Sequence, residues 1–540
     1  MIVNTKRNDE LDRDALKGRE TILSVFHTIV EENSGTEYGR RYGFKDIKTY
    51  EDYKRAVPLI EYEDVQEEVE RMYQGEENVL TAYKVKHFLL TTGTTGLRKR
   101  IPETYRAFLQ YNNTTDRLND DVAGLKEGMR LLLPIFRTDI HGEPEKEVYL
   151  TAAYYRNVYE MGFLDPDRYV GGETMFFNTG QAEDFLYAKL YAGLLTEEIV
   201  SVESTFLYDQ LMFFDYLEKN WQQVLSDIEK GQVGEGIRLP DDIKDTLKRL
   251  PRSEERIRDI EKICREGFDG IARRLWPSLH VSLGISGKGF QSEEQTLRRY
   301  LGDIPFCYYS YACSECNIGV PMALESYEYV LLPRCGFFEF RPFGKGEAGK
   351  EPVLACDVQV GEKYELIITN WSGLYRYCPN DIVEITDFYG ELPVMKFLFR
   401  KDQLISIAGE KTDVSTLERA VLSLEEELSR NCREFCFAPD LSRLPGRYLC
   451  FIEDEAALPG DKADAGARLD RILMSLNADY EDLRRNLHQI DAPEVIFLGD
   501  GSMSKLRIKL KKTDGHRKPI RLIDGDSVRY LRSLEVKNEA

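Results

Sequence analysis

The chain has 540 residues, 42% of them hydrophobic and 31% charged, and a formal net charge of −21. That length exceeds what one core usually supports, so two or more domains are expected, and the composition is that of an ordinary globular protein. The acidic balance excludes a general nucleic-acid binder and means that any anionic substrate needs a locally positive site.

In chain order, Met1 to Glu20 is charged and has no apolar core of a leader,. No run approaches the roughly 18 apolar residues of a membrane span. With ten cysteines spread from Cys264 to Cys450, the expectation is a reduced, cytoplasmic protein, a monomer by default. The first 75 residues read as charged amphipathic helices ended by Gly43 and Pro58. Arg130 to Phe136 reads as a buried strand, Glu183 to Lys230 as two or three helices, and Ser253 to Leu275 as one helix stopped by Pro277,. From about Pro305 the texture turns to strands. Tyr329 to Pro333, Phe337 to Phe343, Lys363 to Asn370, Tyr375 to Tyr377 and Ile382 to Phe388 predict a β-meander,. After Arg400-Lys401-Asp402 an α/β texture resumes, with a helix over Leu417 to Ser429, a strand over Tyr448 to Glu453 and an apolar stripe from Leu469 to Leu483.

Several segments carry chemistry. Thr91-Thr92-Gly93-Thr94-Thr95-Gly96, followed by Arg98-Lys99-Arg100, combines turn glycines, hydroxyl donors and cations. Glycine lets successive N–H groups face one point, threonine adds donors, and the cations supply counter-charge, so the loop suits phosphate. It lacks the Walker spacing. Tyr311-Ala312-Cys313-Ser314-Glu315 sets an aromatic ring, a hydroxyl and a carboxylate together, and Glu315 suits a hard cation such as Mg²⁺ beside phosphates,. In Leu374-Tyr375-Arg376-Tyr377-Cys378-Pro379-Asn380-Asp381 a carboxylate ends a strand, as acids that bind ribose hydroxyls do elsewhere,. Arg400-Lys401-Asp402 leads to Gly409-Glu410-Lys411-Thr412-Asp413. Ser504 to Arg521 holds eight basic residues against one acid, which reads as a solvated face or a source of cations,. Cys313 and Cys316 form a C-x-x-C, but no second one follows, so a metal or redox module is a weak alternative,.

In order and spacing these segments resemble the adenylate-forming superfamily, and within it the auxin-responsive Gretchen Hagen family of acyl-acid–amido synthetases. The threonine loop is similar to that family's phosphate loop, Tyr311 to Glu315 to its Tyr-Ala-Ser-Ser-Glu, Tyr364-Glu365-Leu366 through Tyr377 to Asp381 to its Tyr-Glu-Leu…Leu-Tyr-Arg-Tyr…Asp, and Arg400 to Asp413 to its Arg-Arg-Lys…Asp-Lys-Thr-Asp. Thr36 to Arg40, Pro58 with Tyr62-Glu63-Asp64, and Phe213 to Gln232 extend the resemblance over nearly the whole chain. The chain departs from it at Cys313, where serine is usual, at Cys316, where glycine is common, and at Pro379-Asn380, where a polar residue and glycine precede the aspartate.

The resemblance implies an α/β fold: a large N-terminal domain, residues 1–399, of mixed sheets flanked by helices plus a β-barrel-like subdomain, and a smaller mobile α+β domain, residues 400–540. It implies ATP and Mg²⁺ as cofactors. Thr91, Thr92, Gly93, Thr94, Thr95, Gly96 and Lys99 would hold phosphates, Asp381 the ribose, and Tyr311, Ser314, Arg400 and Lys411 other parts of the nucleotide. Glu315 would hold Mg²⁺. Lys518, in His516-Arg517-Lys518-Pro519, would be the catalytic lysine, with Lys505 as the alternative. The implied activity adenylates a small carboxylic acid and passes the acyl group to an amino acid or other amine. Arg156, Arg334 and Arg376 are open choices for the acceptor's carboxylate. A coenzyme A ligase and a catalytically silent nucleotide scaffold are the alternatives. No membrane or nucleic-acid partner is expected.

Overall fold

The computed structural model describes residues 9–535 except 91–98, 111–120, 126–127, 134–146, 150–158, 161, 163–164, 177–181, 287–290, 345–349, 402–403, 406, 408–409, 411, 430–433, 444, 455–460, 511–518 and 524. The chain divides into two compact units, one of residues 1–286 and 295–397, the other of residues 287–294 and 398–540. Among the described residues no helix is long and apolar enough to cross a membrane.

The first unit begins with short helices whose starts are written in the sequence. Thr36 accepts from the Gly39 N–H, and Thr49 forms a reciprocal capping box with Asp52,. Their apolar faces cover the strand-rich half of the unit, where Phe26 packs against Tyr53 and Phe337. The barrel-like subdomain expected from residue 305 onward takes the form of one eight-stranded sheet with end strands Val353–Leu354 and Tyr311–Cys313.

A second, four-stranded parallel sheet runs Met129–Leu132, Ile199–Phe206, Val281–Ile285, Phe306–Tyr308. Its central strand, Ile199–Phe206, is buried at all eight positions, as a parallel strand covered on both faces must be,. This strand lies inside the stretch read as purely helical; the helices are Ala182–Leu195 and Leu207–Lys230 on either side of it. The helix expected over Ser253 to Leu275 is two, Glu254–Arg265 and Ile271–Leu275. Gly267 and Gly270 between them have φ of 107° and 60°, left-handed conformations that stop a helix while its apolar stripe continues,. A third sheet pairs Val85–Leu90 with Arg100–Thr104, Leu90 opposite Arg100.

The second unit contains a three-stranded sheet in which Arg447–Glu453 lies between Glu434–Asp440, antiparallel to it, and Glu494–Leu498, parallel to it. Side chains alternate across a strand with period two. Phe435, Phe437, Cys450, Ile452, Val495 and Phe497 therefore share one core with the helices Val414–Leu428 and Asp461–Leu476. Cys436, Ala438, Leu449, Phe451, Ile496 and Leu498 share another with Met503, Leu506 and Leu531. The helix Ser502–Lys509 is anchored by Glu453, whose carboxylate accepts from the Gly501 and Met503 N–H groups.

Candidate active site

Tyr311–Cys313 and Cys316–Pro321 form a tight hairpin, with Cys313 opposite Cys316 and Ser314-Glu315 as its two-residue turn. Asp381 opens the strand Asp381–Tyr389 of the same sheet and is 5% exposed. The Tyr311 hydroxyl donates to Asp381 Oδ2 at 2.7 Å. Two residues read separately from the sequence, 70 positions apart, thus meet. Tyr311 has ring neighbours in Tyr329 and Phe397, at 5.9 and 5.7 Å between centroids.

The approach to Asp381 is shaped by backbone that few residues adopt. Gly373, Arg376 and Asn380 have φ of 99°, 49° and 68°. Asn tolerates the left-handed region better than most residues, so Asn380 can make the turn that leads into Asp381,. Tyr375 to Tyr377, expected as a strand, makes isolated bridges through Tyr377 to Ile60 and Ile368. The positive φ at Gly373 and Arg376 prevents a regular ladder there. The segment is instead stitched from both sides: Tyr377 exchanges hydrogen bonds with Ile368, Ile60 N–H donates to the Arg376 carbonyl, and Cys378 N–H donates to the Ile60 carbonyl.

Arg376 itself is buried at 3% exposure. Its guanidinium pairs with Glu339 and donates to the carbonyls of Lys54 and Val57. Arg334 is gripped by both carboxylate oxygens of Asp14 at 2.7 Å. Arg376 is thereby committed to the fold, whereas Arg334, with its side chain 43% exposed, stays an open choice for an acceptor carboxylate. Arg156 lies outside the described residues.

The threonine loop, Thr91, Thr92, Gly93, Thr94, Thr95 and Gly96, lies outside the described residues, as do Lys411 and Lys518. Lys99 is described: its Nζ is 3.4 Å from Glu63 Oε1 and 5.2 Å from the Tyr62 ring centroid. Arg400 ends the strand Leu392–Arg400 and is half-buried. Lys505 is exposed on the helix Ser502–Lys509. The basic tract is not merely a solvated face. Arg507 and Arg521, each 7% exposed, pair with Glu434 and Glu418 at 2.6 and 2.9 Å.

The thiols of the C-x-x-C are disfavoured as thiolates. Enclosure by protein pushes both Cys313 and Cys316 well above the ordinary thiol range, and the charges of Glu315 and Asp381 push Cys313 further the same way. A thiol held protonated is a weaker nucleophile and a weaker metal ligand than a thiolate. Among the described residues no three His, Cys, Asp or Glu side chains gather as a metal site. What this turn offers is carboxylate oxygen, which fits an oxygen-preferring cation completed by phosphate and water.

One residue escaped the sequence reading. Asn370, 1% exposed, donates from Nδ2 to the Glu315 carbonyl at 2.7 Å, while its Oδ1 accepts from the N–H groups of Ser372 and Leu374. An Asn before Trp-Ser-Gly signals a turn. Nothing local signals its reach to Glu315.

Comparison with known proteins gives the same arrangement a lineage. Residues 8–306 match the GH3 family N-terminal domain, 329–400 its central domain and 415–526 its C-terminal domain. The indole-3-acetic acid-amido synthetase GH3.3 of Arabidopsis thaliana is 29% identical over 509 residues, 89% of this chain and 85% of that protein. A probable indole-3-acetic acid-amido synthetase, GH3.2 of Oryza sativa subsp. japonica, is 29% identical over 82% of this chain and 76% of its own. Among solved structures, the GH3.15 acyl acid amido synthetase superimposes with a TM-score of 0.83 at 22% identity, over 98% of this chain and 96% of that one. A 2-hydroxyisobutyryl-CoA ligase in its postadenylation state gives 0.55 at 12% identity, over 98% and 93%. This chain belongs to the GH3 family, and it shares its fold with the GH3.15 acyl acid amido synthetase and, less closely, with the 2-hydroxyisobutyryl-CoA ligase.

Proposed function

We propose that this chain is an ATP-dependent acyl-acid–amido synthetase. In the first half-reaction a carboxylate oxygen attacks the α-phosphorus of ATP and pyrophosphate leaves, giving an acyl-adenylate. In the second an amine nitrogen attacks the acyl carbon, AMP leaves, and the amine gives up a proton. The observation that carries this reading is the Tyr311–Asp381 hydrogen bond, which joins two motifs read for the nucleotide inside a chain that one family matches at residues 8–306, 329–400 and 415–526.

The first step brings two anions together. At about 4 Å their repulsion is roughly 1 kcal/mol in water and roughly 4 kcal/mol at an effective dielectric of 20. A site closed to water therefore needs cations. Asp381 takes the ribose hydroxyls, with Tyr311 holding one of its oxygens. The threonine loop and Lys99 hold the β- and γ-phosphates. Glu315 is the residue that would hold Mg²⁺, which when bound draws charge from phosphate oxygens. Lys518, with Lys505 as the alternative, would serve as the cation for the carboxylate and α-phosphate.

The test is ATP–pyrophosphate exchange against a panel of aryl and short aliphatic acids, followed by product masses with amino acids and with coenzyme A. Acid-dependent exchange and an amide product are expected. Exchange followed only by a thioester makes the chain a coenzyme A ligase. ATP binding without exchange for any acid makes it a scaffold.

A further inference from the structure

We propose that Asn370 is a positioning residue for the Glu315 turn, tying it to the segment that presents Asp381. The inference rests on the reading of Glu315 given above. Three observations carry it. Asn370 is 1% exposed at the end of the strand Lys363–Asn370, where a polar side chain is retained only if its hydrogen bonds are made,. All of those bonds go to two loops: Oδ1 gathers the N–H groups of Ser372 and Leu374 at 2.9 and 3.0 Å, and Nδ2 reaches the Glu315 carbonyl at 2.7 Å. The main chain closes the same turn, with Asn370 N–H donating to the Leu374 carbonyl.

One amide therefore fixes the start of Leu374 to Asp381 with one end and the peptide after Glu315 with the other. The bond to Glu315 is to its main chain. It sets where the Cα–Cβ vector points and leaves the carboxylate available for a ligand. Few side chains can do this. Aspartate keeps the acceptor function toward Ser372 and Leu374 but has no donor for the Glu315 carbonyl. Asn370→Asp thus cuts one link and keeps the other.

The experiment uses the full chain and the acid that supports exchange in the wild type. Exchange is measured against Mg²⁺ concentration, and melting temperature is measured alone, with ATP, and with ATP plus Mg²⁺. In Asn370→Asp we expect kcat lower by about tenfold, the size of effect from losing one good hydrogen bond, a higher Mg²⁺ concentration for half-maximal rate, and a smaller extra stabilisation when Mg²⁺ joins ATP. Asn370→Ala gives the same metal readouts on whatever fraction folds, should the aspartate variant fold poorly. A merely structural asparagine would lower the melting temperature of the unliganded protein and leave both metal readouts unchanged, which overturns the proposal. Glu315→Gln separates the two levels. If it loses Mg²⁺ dependence while Asn370→Asp does not, the positioning role is wrong and the reading of the site stands. If Glu315→Gln itself is silent, the metal assignment falls and takes this inference with it.

Discussion

At the scale of single residues, two arginines and one tyrosine illustrate how a side chain's partners sort binding from support. Arg376 and Arg334 look alike in the sequence as cations near the site, but their partners decide their roles. Removing one member of a buried pair strands the other charge, at a cost of about 3–5 kcal/mol. Arg376→Met should therefore lower the unfolding free energy by roughly that amount, read from denaturant melts, because Glu339 is fully buried beside it,. A selective rise in the amine KM with unchanged stability would contradict this. Tyr311 differs: it is partly exposed, and its hydroxyl ends on a carboxylate assigned to ribose. A hydrogen bond to a charged group contributes about 1.5–3 kcal/mol. Tyr311→Phe should raise the ATP KM by about tenfold or more with a smaller change in kcat. It should also narrow the preference for ATP over its 2′,3′-dideoxy analogue. An unaltered ATP KM would separate Tyr311 from the ribose site.

At the scale of elements, the legible parts are those whose signal is local. Caps at Thr36 and Thr49, the strand Lys363–Asn370 and the strand Asp381–Tyr389 follow from nearby residues. The strand Ile199–Phe206 does not. With both faces buried it has no alternation, and Ser and Glu within it disguise a core strand as helix surface,. The site divides in the same way. Its motifs can be read off short stretches, whereas the ties between them, Tyr311 to Asp381 and Asn370 to Glu315, span 70 and 55 positions and exist only after folding.

The helix Ala182–Leu195 hides a further element-scale consequence. Lys189 is 1% exposed, donates to the Val170 carbonyl at 3.3 Å, and is pushed by burial from its ordinary 10.5 down to about 7. Below that value folded and unfolded chains both hold the proton. Between about 7 and 10.5 the unfolded chain holds a proton that the folded chain has released, so stability rises with pH across this window,. Lys189→Met lacks that slope. It should be more stable than wild type by about 1–3 kcal/mol at neutral pH and below. The advantage should shrink as pH approaches 10.5. A gap in denaturant midpoints that stays constant with pH would show that Lys189 is not losing its proton on folding.

At the scale of the whole molecule, the proposed function requires a chain of net charge −21 to bring a carboxylate to a triphosphate, so the placement of its committed cations matters more than their number,. The basic tract from Ser504 to Arg521 separates into two kinds once the second unit is seen. Arg521 reaches Glu418, which is fully buried, and Arg507 reaches Glu434. These arginines hold the two-sided core of that unit together. Lys505 lies outside those pairs, and we propose that the catalytic role falls to Lys518, with Lys505 as the alternative. The two roles predict opposite phenotypes. Arg521→Ala removes an ion-pair partner from a fully buried carboxylate and should cost about 3–5 kcal/mol of stability, visible as early melting of the second unit,. Lys518→Ala should melt like the wild type yet slow pyrophosphate exchange by the equivalent of about 2–4 kcal/mol, the loss associated with one donor to a developing charge. Measuring melting and exchange on the same preparations distinguishes a rate effect from unfolding. If Lys518→Ala exchanges normally and Lys505→Ala does not, the catalytic cation belongs to the helix Ser502–Lys509, and Glu453, which anchors that helix through Gly501 and Met503, becomes part of how it is aimed.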